Sequence, residues 1–182
     1  MKRSLIALSL AALLPLAAQA DDKLSYTYVE GGYINIDNDA DGFGVRGSFE
    51  FGNSGFYGFG AYSWLETDVG STDIDASELG FGYAHGLTDN LDLIGEAAWQ
   101  NVDVDGAGSA DGYRASVGLR GSFTENFEGL IKANYVDGDD IDSDFTGTIG
   151  AQYKFNKTWG ITGEVEFADN AETYLVGLRA SF

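Results

Sequence analysis

A single histidine, His85, and no cysteine occur in the 182 residues, so imidazole chemistry has one candidate position and thiolate chemistry none. A general base must reach the proton it removes within hydrogen-bond distance. His85 falls beside a short turn, on the side-chain parity of Phe81 and Tyr83, far from any Ser or Asp at the opposite rim. An interfacial polar residue is the simpler reading. Carboxylate pairs could act without it, yet nothing in the sequence sets two of them in a dry cleft or raises a pKa. The expectation is a protein without enzymatic activity and without a cofactor. Metal chemistry has one motif: Asp37-Asn38-Asp39-Ala40-Asp41-Gly42 matches the first half of a calcium loop, and residues 137–144 hold five Asp in eight positions. The twelfth position from Asp37, where a bidentate Glu belongs, is Ser48. An exposed acidic hairpin therefore explains the run better than a specific calcium site.

The remaining charged constellation is a row rather than a cluster. Arg46, Arg114, Arg120, Lys132, Lys154 and Arg179 share one parity with Glu30, Glu50, Glu78, Asp92, Glu96, Glu128, Glu164 and Glu166. The segments that carry them alternate with period two, the signature of a strand whose two faces meet different media. In the last nine residues the apolar row is 174, 176, 178, 180 and 182, against Gly177, Arg179 and Ser181. Val117 to Phe123 nearly repeats Val176 to Phe182, and Phe43 to Phe49 is a third copy. The chain is an internal array of hairpins. Odd strands are expected at Leu24–Asn35, Phe56–Leu65, Leu91–Asn101, Phe127–Val136 and Trp159–Phe167, and even strands at Phe43–Phe51, Ser77–His85, Tyr113–Phe123, Phe145–Phe155 and Tyr174–Phe182. That makes ten, with eight as the alternative count. Connections alternate between tight turns, such as Gly52-Asn-Ser-Gly55 and Asn156-Lys-Thr158, and longer acidic loops: 37–41, 66–76, 102–112, 137–144 and 168–172.

Which face meets what is decided by charge. The face holding Val45, Phe49, Trp64, Leu93, Leu119, Ile131, Ile149, Ile161 and Leu178 has no Asp, Glu, Lys or Arg within those strand bounds. A soluble sandwich would also keep charge from its core. It would not need aromatics at both ends of that face, yet Tyr33, Phe43, Trp64, Trp99, Tyr113 and Tyr135 collect at the loop end and Phe51, Phe56, Phe123, Phe127 and Trp159 at the turn end. Such girdles mark the two interfaces of a bilayer. Lys2 and Arg3, an apolar run to Leu14 and Ala18-Gln19-Ala20 read as a cleavable secretory signal over 1–20, leaving 21–182 as the barrel domain. The fold class expected is all-β: a transmembrane antiparallel up-and-down β-barrel in the outer membrane of a Gram-negative bacterium. Its partners are then outer-membrane lipid and lipopolysaccharide. The loops hold 17 of the 29 acids and no Lys or Arg, which favours loose bridging of divalent cations to lipopolysaccharide and repels nucleic acid.

At Leu24 to Tyr33, Asp39 to Val45, Asp111 to Tyr113 with Gly118-Leu-Arg120, and Gly150 to Gly160, the sequence resembles the Ax-twenty-one family of small outer-membrane-barrel-like proteins, over nearly the whole of 21–182. The resemblance implies outer-membrane location, release in membrane vesicles and association with quorum-regulated or virulence traits; it implies no activity. The chain end also resembles the signal read by the barrel-assembly machinery, with Gly177 and Phe182 in the usual places and Leu175 and Ala180 departing from it. Functionally, the inward rows predict a lumen polar network of Glu30, Arg46, Glu96, Arg114, Arg120, Lys132, Lys154, Glu164 and Arg179. In a barrel this narrow, long side chains can cross the lumen and must pair if they are buried. A paired lumen favours a non-enzymatic barrel that serves envelope structure or surface interaction through its acidic loops. The alternative is a narrow, weakly cation-selective channel.

Overall fold

A computed structural model of the chain describes residues 24–37, 39–138, 141–169 and 171–182. The expected signal segment, Asn38 of the calcium-like run, and Asp139 and Asp140 of the acidic loop lie outside these described residues. Ten strands follow in order: β1 (Tyr28–Ile36), β2 (Ala40–Glu50), β3 (Phe56–Thr67), β4 (Asp73–Thr88), β5 (Leu91–Val104), β6 (Gly108–Thr124), β7 (Phe127–Gly138), β8 (Ile141–Lys154), β9 (Trp159–Phe167) and β10 (Glu172–Ser181). Each pairs antiparallel with its neighbours in sequence, and β1 pairs with β10 to close the barrel. Closure leaves no unpaired edge, the condition for strands to cross a bilayer. The count is ten, not eight.

The connections are about as short at the end expected to carry long loops as at the turn end, and at the turn end the hairpins are tight for local reasons. Between β2 and β3, Gly52 and Gly55 take positive φ values of 63° and 78°, a conformation that costs glycine little. Between β8 and β9, the Asn156 side-chain oxygen accepts hydrogen bonds from the Thr158 and Trp159 amides, both at 2.9 Å. Side chains on the two faces separate as the alternation demands. Phe43, Leu79, Val117, Ile131, Ile149 and Leu178 stand outward and exposed, while Glu30, Asn134 and Thr148 on the inner face are buried. The outer aromatics pair across strands at both rims, Tyr33 with Phe43 and Tyr135 with Phe145 at one, Phe56 with Tyr83 and Phe123 with Phe127 at the other.

Two expectations are revised. First, the loops are shorter and most strands longer, above all β4, β5, β6 and β8. Residues 73–76, 102–104 and 108–112 join ladders, for example Ile74 opposite Val104 and Val102 opposite Ala110. In these extensions the outward parity does carry acids: Asp75 lies directly opposite Trp64, and Asp137 opposite Tyr113. The charge-free rule therefore holds up to the loop-end aromatics and ends there, because beyond the girdle the outer surface meets water and headgroups. Second, β1 begins at Tyr28 rather than Leu24.

An Arg in place of Ile131, in the middle of the outward band, is expected to destabilise the barrel by about 2–4 kcal/mol, whereas Arg in place of Glu66, beyond the aromatic ring, should cost about 0–1 kcal/mol. The urea midpoint of folding into lipid vesicles measures both; equal effects at the two positions would contradict the placement of the band.

Candidate functional site

The lumen is built in tiers, each made by inward residues of several strands. At the turn end, Glu128 of β7 receives Arg120 of β6 at 2.6 Å and Lys154 of β8 at 2.9 Å. In the middle, Glu30 of β1 sits in register between Arg46 of β2 and Arg179 of β10. It takes Arg179 Nε at 2.6 Å on one oxygen and Arg46 Nη2 at 2.8 Å on the other, and is only 2% exposed. Arg46 also binds both oxygens of Glu164 on β9, at 3.2 and 3.1 Å. On the far wall Lys132 of β7 meets Glu96 of β5 at 3.1 Å, and the Tyr57 hydroxyl donates to the same carboxylate at 2.8 Å. Toward the loop end, Arg114 of β6 spans to Glu166 of β9 with two bonds, 2.8 and 3.1 Å, and lies 3.7 Å from Glu78. Polar neighbours complete this tier: Gln100 donates to Glu78 at 2.7 Å, Thr146 to Glu166 at 3.0 Å, and Asn134 to Thr146 and Thr148 at 3.0 and 2.9 Å.

Each of the six inward cations thus meets a carboxylate, and the ion pairs bring Glu30, Arg46, Glu96, Arg114, Arg120, Lys132, Lys154, Glu164 and Arg179 together with Glu78, Glu128 and Glu166, three inward acids outside the expected set. The structure adds members that charge alone did not single out. Gln152 accepts from Arg179 at 3.3 Å, the Tyr28 ring lies 4.0 Å beneath the same guanidinium, and Tyr26 donates to Asp92 at 2.9 Å. Their inward parity was readable; their pairing across the lumen was not. Arg–carboxylate forks of this kind fix geometry as well as charge.

The tiers do not fill the barrel. A cavity of about 70 Å³ remains between them, lined among others by Arg46, Glu96, Lys132, Gln152, Thr162 and Arg179. That is far below the roughly 300–1,000 Å³ of an ordinary small-molecule pocket, and it is room for several waters. Gln152 Nε2, Thr162 Oγ1 and Arg46 Nε are buried there without a hydrogen-bond partner among the described residues.

The other sequence candidates stay apart from this site. His85 faces outward near the turn end, its ring 6.4 Å from that of Tyr83 and its backbone opposite Leu93. Asp37 and Asp39 lie in a tight turn closed by the Asp39 amide on the Ile36 carbonyl at 2.7 Å, and Ser48 is buried within β2. Among the described residues no group of three or more His, Asp or Glu side chains is arranged to hold a metal ion. Gly177 pairs with Gly32 of β1, and a Cβ there would lie 3.2 Å from the Glu30 side chain. The Phe182 amide donates to the Thr27 carbonyl at 2.9 Å.

Comparison with known proteins adds a family. The Gram-negative porin family model matches residues 7–173. The chain is 29% identical over 202 residues to the major outer membrane protein P.IB of Neisseria meningitidis serogroup B, covering 98% of this chain and 55% of that protein. It is 27% identical over 172 residues to YaiT of Escherichia coli K12, covering 76% of this chain and 17% of that protein. It therefore spans about half the length of one relative and about a sixth of the other. Among solved structures, the KdgM porin superposes with a TM-score of 0.54 at 14% identity, over 85% of this chain and 99% of that one, which is a likeness of fold.

Removing the shared carboxylate by Glu30→Ala leaves Arg179 without its partner in a buried setting, at an expected cost of about 3–5 kcal/mol. Arg120→Ala should likewise lower the unfolding temperature in detergent micelles. Heat-modified mobility on gels measures both; unchanged unfolding temperatures would mean that these cations are solvated rather than paired.

Proposed function

The chain belongs to the Gram-negative porin family and is an outer-membrane β-barrel, and from that premise we propose that it is a narrow, weakly cation-selective channel for water and small ions. The observation that carries this reading is the cavity of about 70 Å³ among the ion pairs, lined among others by Arg46, Glu96, Lys132, Gln152 and Thr162. A lumen serving only as filler gains nothing from a polar-lined space with room for several waters. A train of waters through the tiers gives small ions a hydrated path. The bias toward cations is supported by eight inward acids against six inward cations, and by an outer rim whose loops carry acids and no Lys or Arg. The packing of the tiers supports exclusion of larger solutes.

One observation favours the second reading, a closed barrel that serves envelope structure. Arg114 and Glu166 are joined across two intervening strands, and such a strut braces the wall as well as narrowing it. Either reading is non-enzymatic. Finer proposals go with both: that residues 1–20 are removed as a signal, that Gly177 and Phe182 are read by the barrel-assembly machinery, and that the rim acids bridge to lipopolysaccharide through divalent cations. Membership of the Ax-twenty-one group, and with it vesicle release and quorum-regulated or virulence traits, rests on the sequence resemblance alone.

Protein extracted from the outer membrane and added to a planar bilayer is expected to give small resolved conductance steps that scale with salt, with a reversal potential displaced toward that of the cation under a salt gradient. A bilayer silent at every protein concentration and voltage supports the closed barrel, and anion selectivity would overturn the charge argument.

A further inference from the structure

The first described residues, 24–27, precede β1 and do not join the ladder as strand. Besides hydrogen bonds at the rim, from the Glu50 amide to Thr27 Oγ1 at 3.1 Å, from the Phe182 amide to the Thr27 carbonyl at 2.9 Å and from Ser25 Oγ to the Phe182 carbonyl at 2.9 Å, this segment reaches β3, β5 and β6, beyond the strands that flank β1. Tyr26, 6% exposed, stacks on Tyr57 of β3 with ring centroids 4.8 Å apart. Its hydroxyl donates to Asp92 of β5 at 2.9 Å. Arg120 of β6 lies 4.8 Å over the same ring and donates to the Ser25 carbonyl at 2.8 Å. Leu24 joins Tyr26, Tyr57 and Ile94 in an apolar cluster inside an otherwise polar lumen. The chain therefore runs across the turn-end mouth of the lumen, and Tyr26 forms part of the lining of the cavity behind it.

We infer that residues 24–27 are a built-in stopper of the turn-end mouth, and that Tyr26 is the side chain that seats it. This rests on the channel reading for its consequence, gating, but the covering itself stands on the contacts. The segment is held by a different kind of interaction from the wall. The wall is a closed ladder of backbone hydrogen bonds between neighbouring strands. The segment is held by one stack, one cation–π contact and two hydrogen bonds across the lumen, and by hydrogen bonds of Ser25 and Thr27 to Phe182 and Glu50 at the rim, so Tyr26 can swing out about Thr27 while the barrel stays intact. Arg120 has a second role in this arrangement: it is fixed by Glu128 at 2.6 Å, so the guanidinium that receives Tyr26 is already in place when the segment is out. The seat is apolar at its centre and charged at its edge, which suits a tyrosine and suits neither a lysine nor an aliphatic side chain as well.

The absence of cysteine allows a direct test. Ile94→Cys places a thiol on the far wall under Tyr26, and its labelling by a charged, water-soluble thiol reagent is timed in full-length protein from the outer membrane, with and without Tyr26→Ala. Tyr26 lies outside the strand ladder, so the barrel is expected to fold, which heat-modified gel mobility checks; Tyr26→Phe, which removes only the hydroxyl bond to Asp92, is the milder second variant. Labelling is expected to accelerate by about tenfold or more with Tyr26→Ala and by less with Tyr26→Phe. Equal rates in all three backgrounds overturn the stopper. In the bilayer, Tyr26→Ala should raise the fraction of time spent open; an unchanged open fraction in a conducting channel also overturns it as a gate. If no background conducts, the channel reading fails by itself, and the labelling still decides whether residues 24–27 cover the mouth.

Discussion

Every feature of this barrel follows from keeping ionised groups off a surface that meets lipid. A strand offers two faces, and once one is given to hydrocarbon every Arg and Lys it carries within the membrane must point inward. The inward space of ten strands is narrow, so those cations lie within reach of one another's carboxylates. Burial then leaves them no choice but to pair, because an isolated buried charge is worth several kcal/mol against the fold. Arg46, Glu30 and Arg179 show the result: three adjacent strands contribute cation, anion and cation in direct register, and the carboxylate is almost wholly hidden. The pairing is thus a consequence of the outer face, and it sets how much lumen is left.

Space for large inward side chains comes from glycine on the neighbouring strand. A Cβ at Gly82 would come within 2.4 Å of the Tyr57 ring, and one at Gly80 within 2.5 Å of Phe59. The tyrosine that supports the Tyr26 stack therefore lies flat over a bare stretch of backbone. Gly177 does the same for Glu30 at closer than ordinary contact, 3.2 Å from its side chain. The inward glycines are as much a part of the site as the charges, since without them the aromatic and acidic side chains would have to point down the axis.

Much of this was legible in the sequence, for a physical reason. Alternation is a local property, so residues such as Lys132 and Ile131 declare opposite faces from their neighbours alone. Closed pairing between consecutive strands follows from short connections. Nine charged residues of the network are legible as charges on the inward parity, whereas Glu78, Glu128 and Glu166 share that parity and were not singled out, because parity alone does not say which acid meets which cation. What the sequence could not show is contact between residues distant in the chain. Tyr26 and Asp92, 66 positions apart, and Arg120 and Ser25, 95 apart, meet only because the barrel closes. Locally, Leu24-Ser25-Tyr26-Thr27 alternates as a strand should, and the error in the start of β1 comes from that. The loop lengths failed differently. Aspartates on the outward parity at 75, 103 and 111 look like loop when lipid is assumed on that side, whereas above the girdle a strand can carry them into water.

The same tiers decide between an open and a closed lumen by their spacing rather than their strength. Arg114 with Glu166, and Arg46 with Glu164, reach over neighbouring strands and are strong forks. Lys132 with Glu96 is a point contact between a flexible ammonium and one oxygen, and Lys154 with Glu128 is of the same kind. Guanidinium forks hold a fixed plane, whereas an ammonium can exchange its carboxylate for water at little geometric cost. The cavity lies where both sorts meet, with Arg46 and Arg179 on one side and Lys132 with Glu96 on the other. A passing cation would find Glu96 held by one exchangeable partner and a tyrosine hydroxyl, while Glu30 and Glu164 stay committed to arginine. In the proposed channel the group placed to select would be Glu96, the carboxylate whose partner can step aside, with the arginine-bound acids as the frame that keeps the lumen narrow.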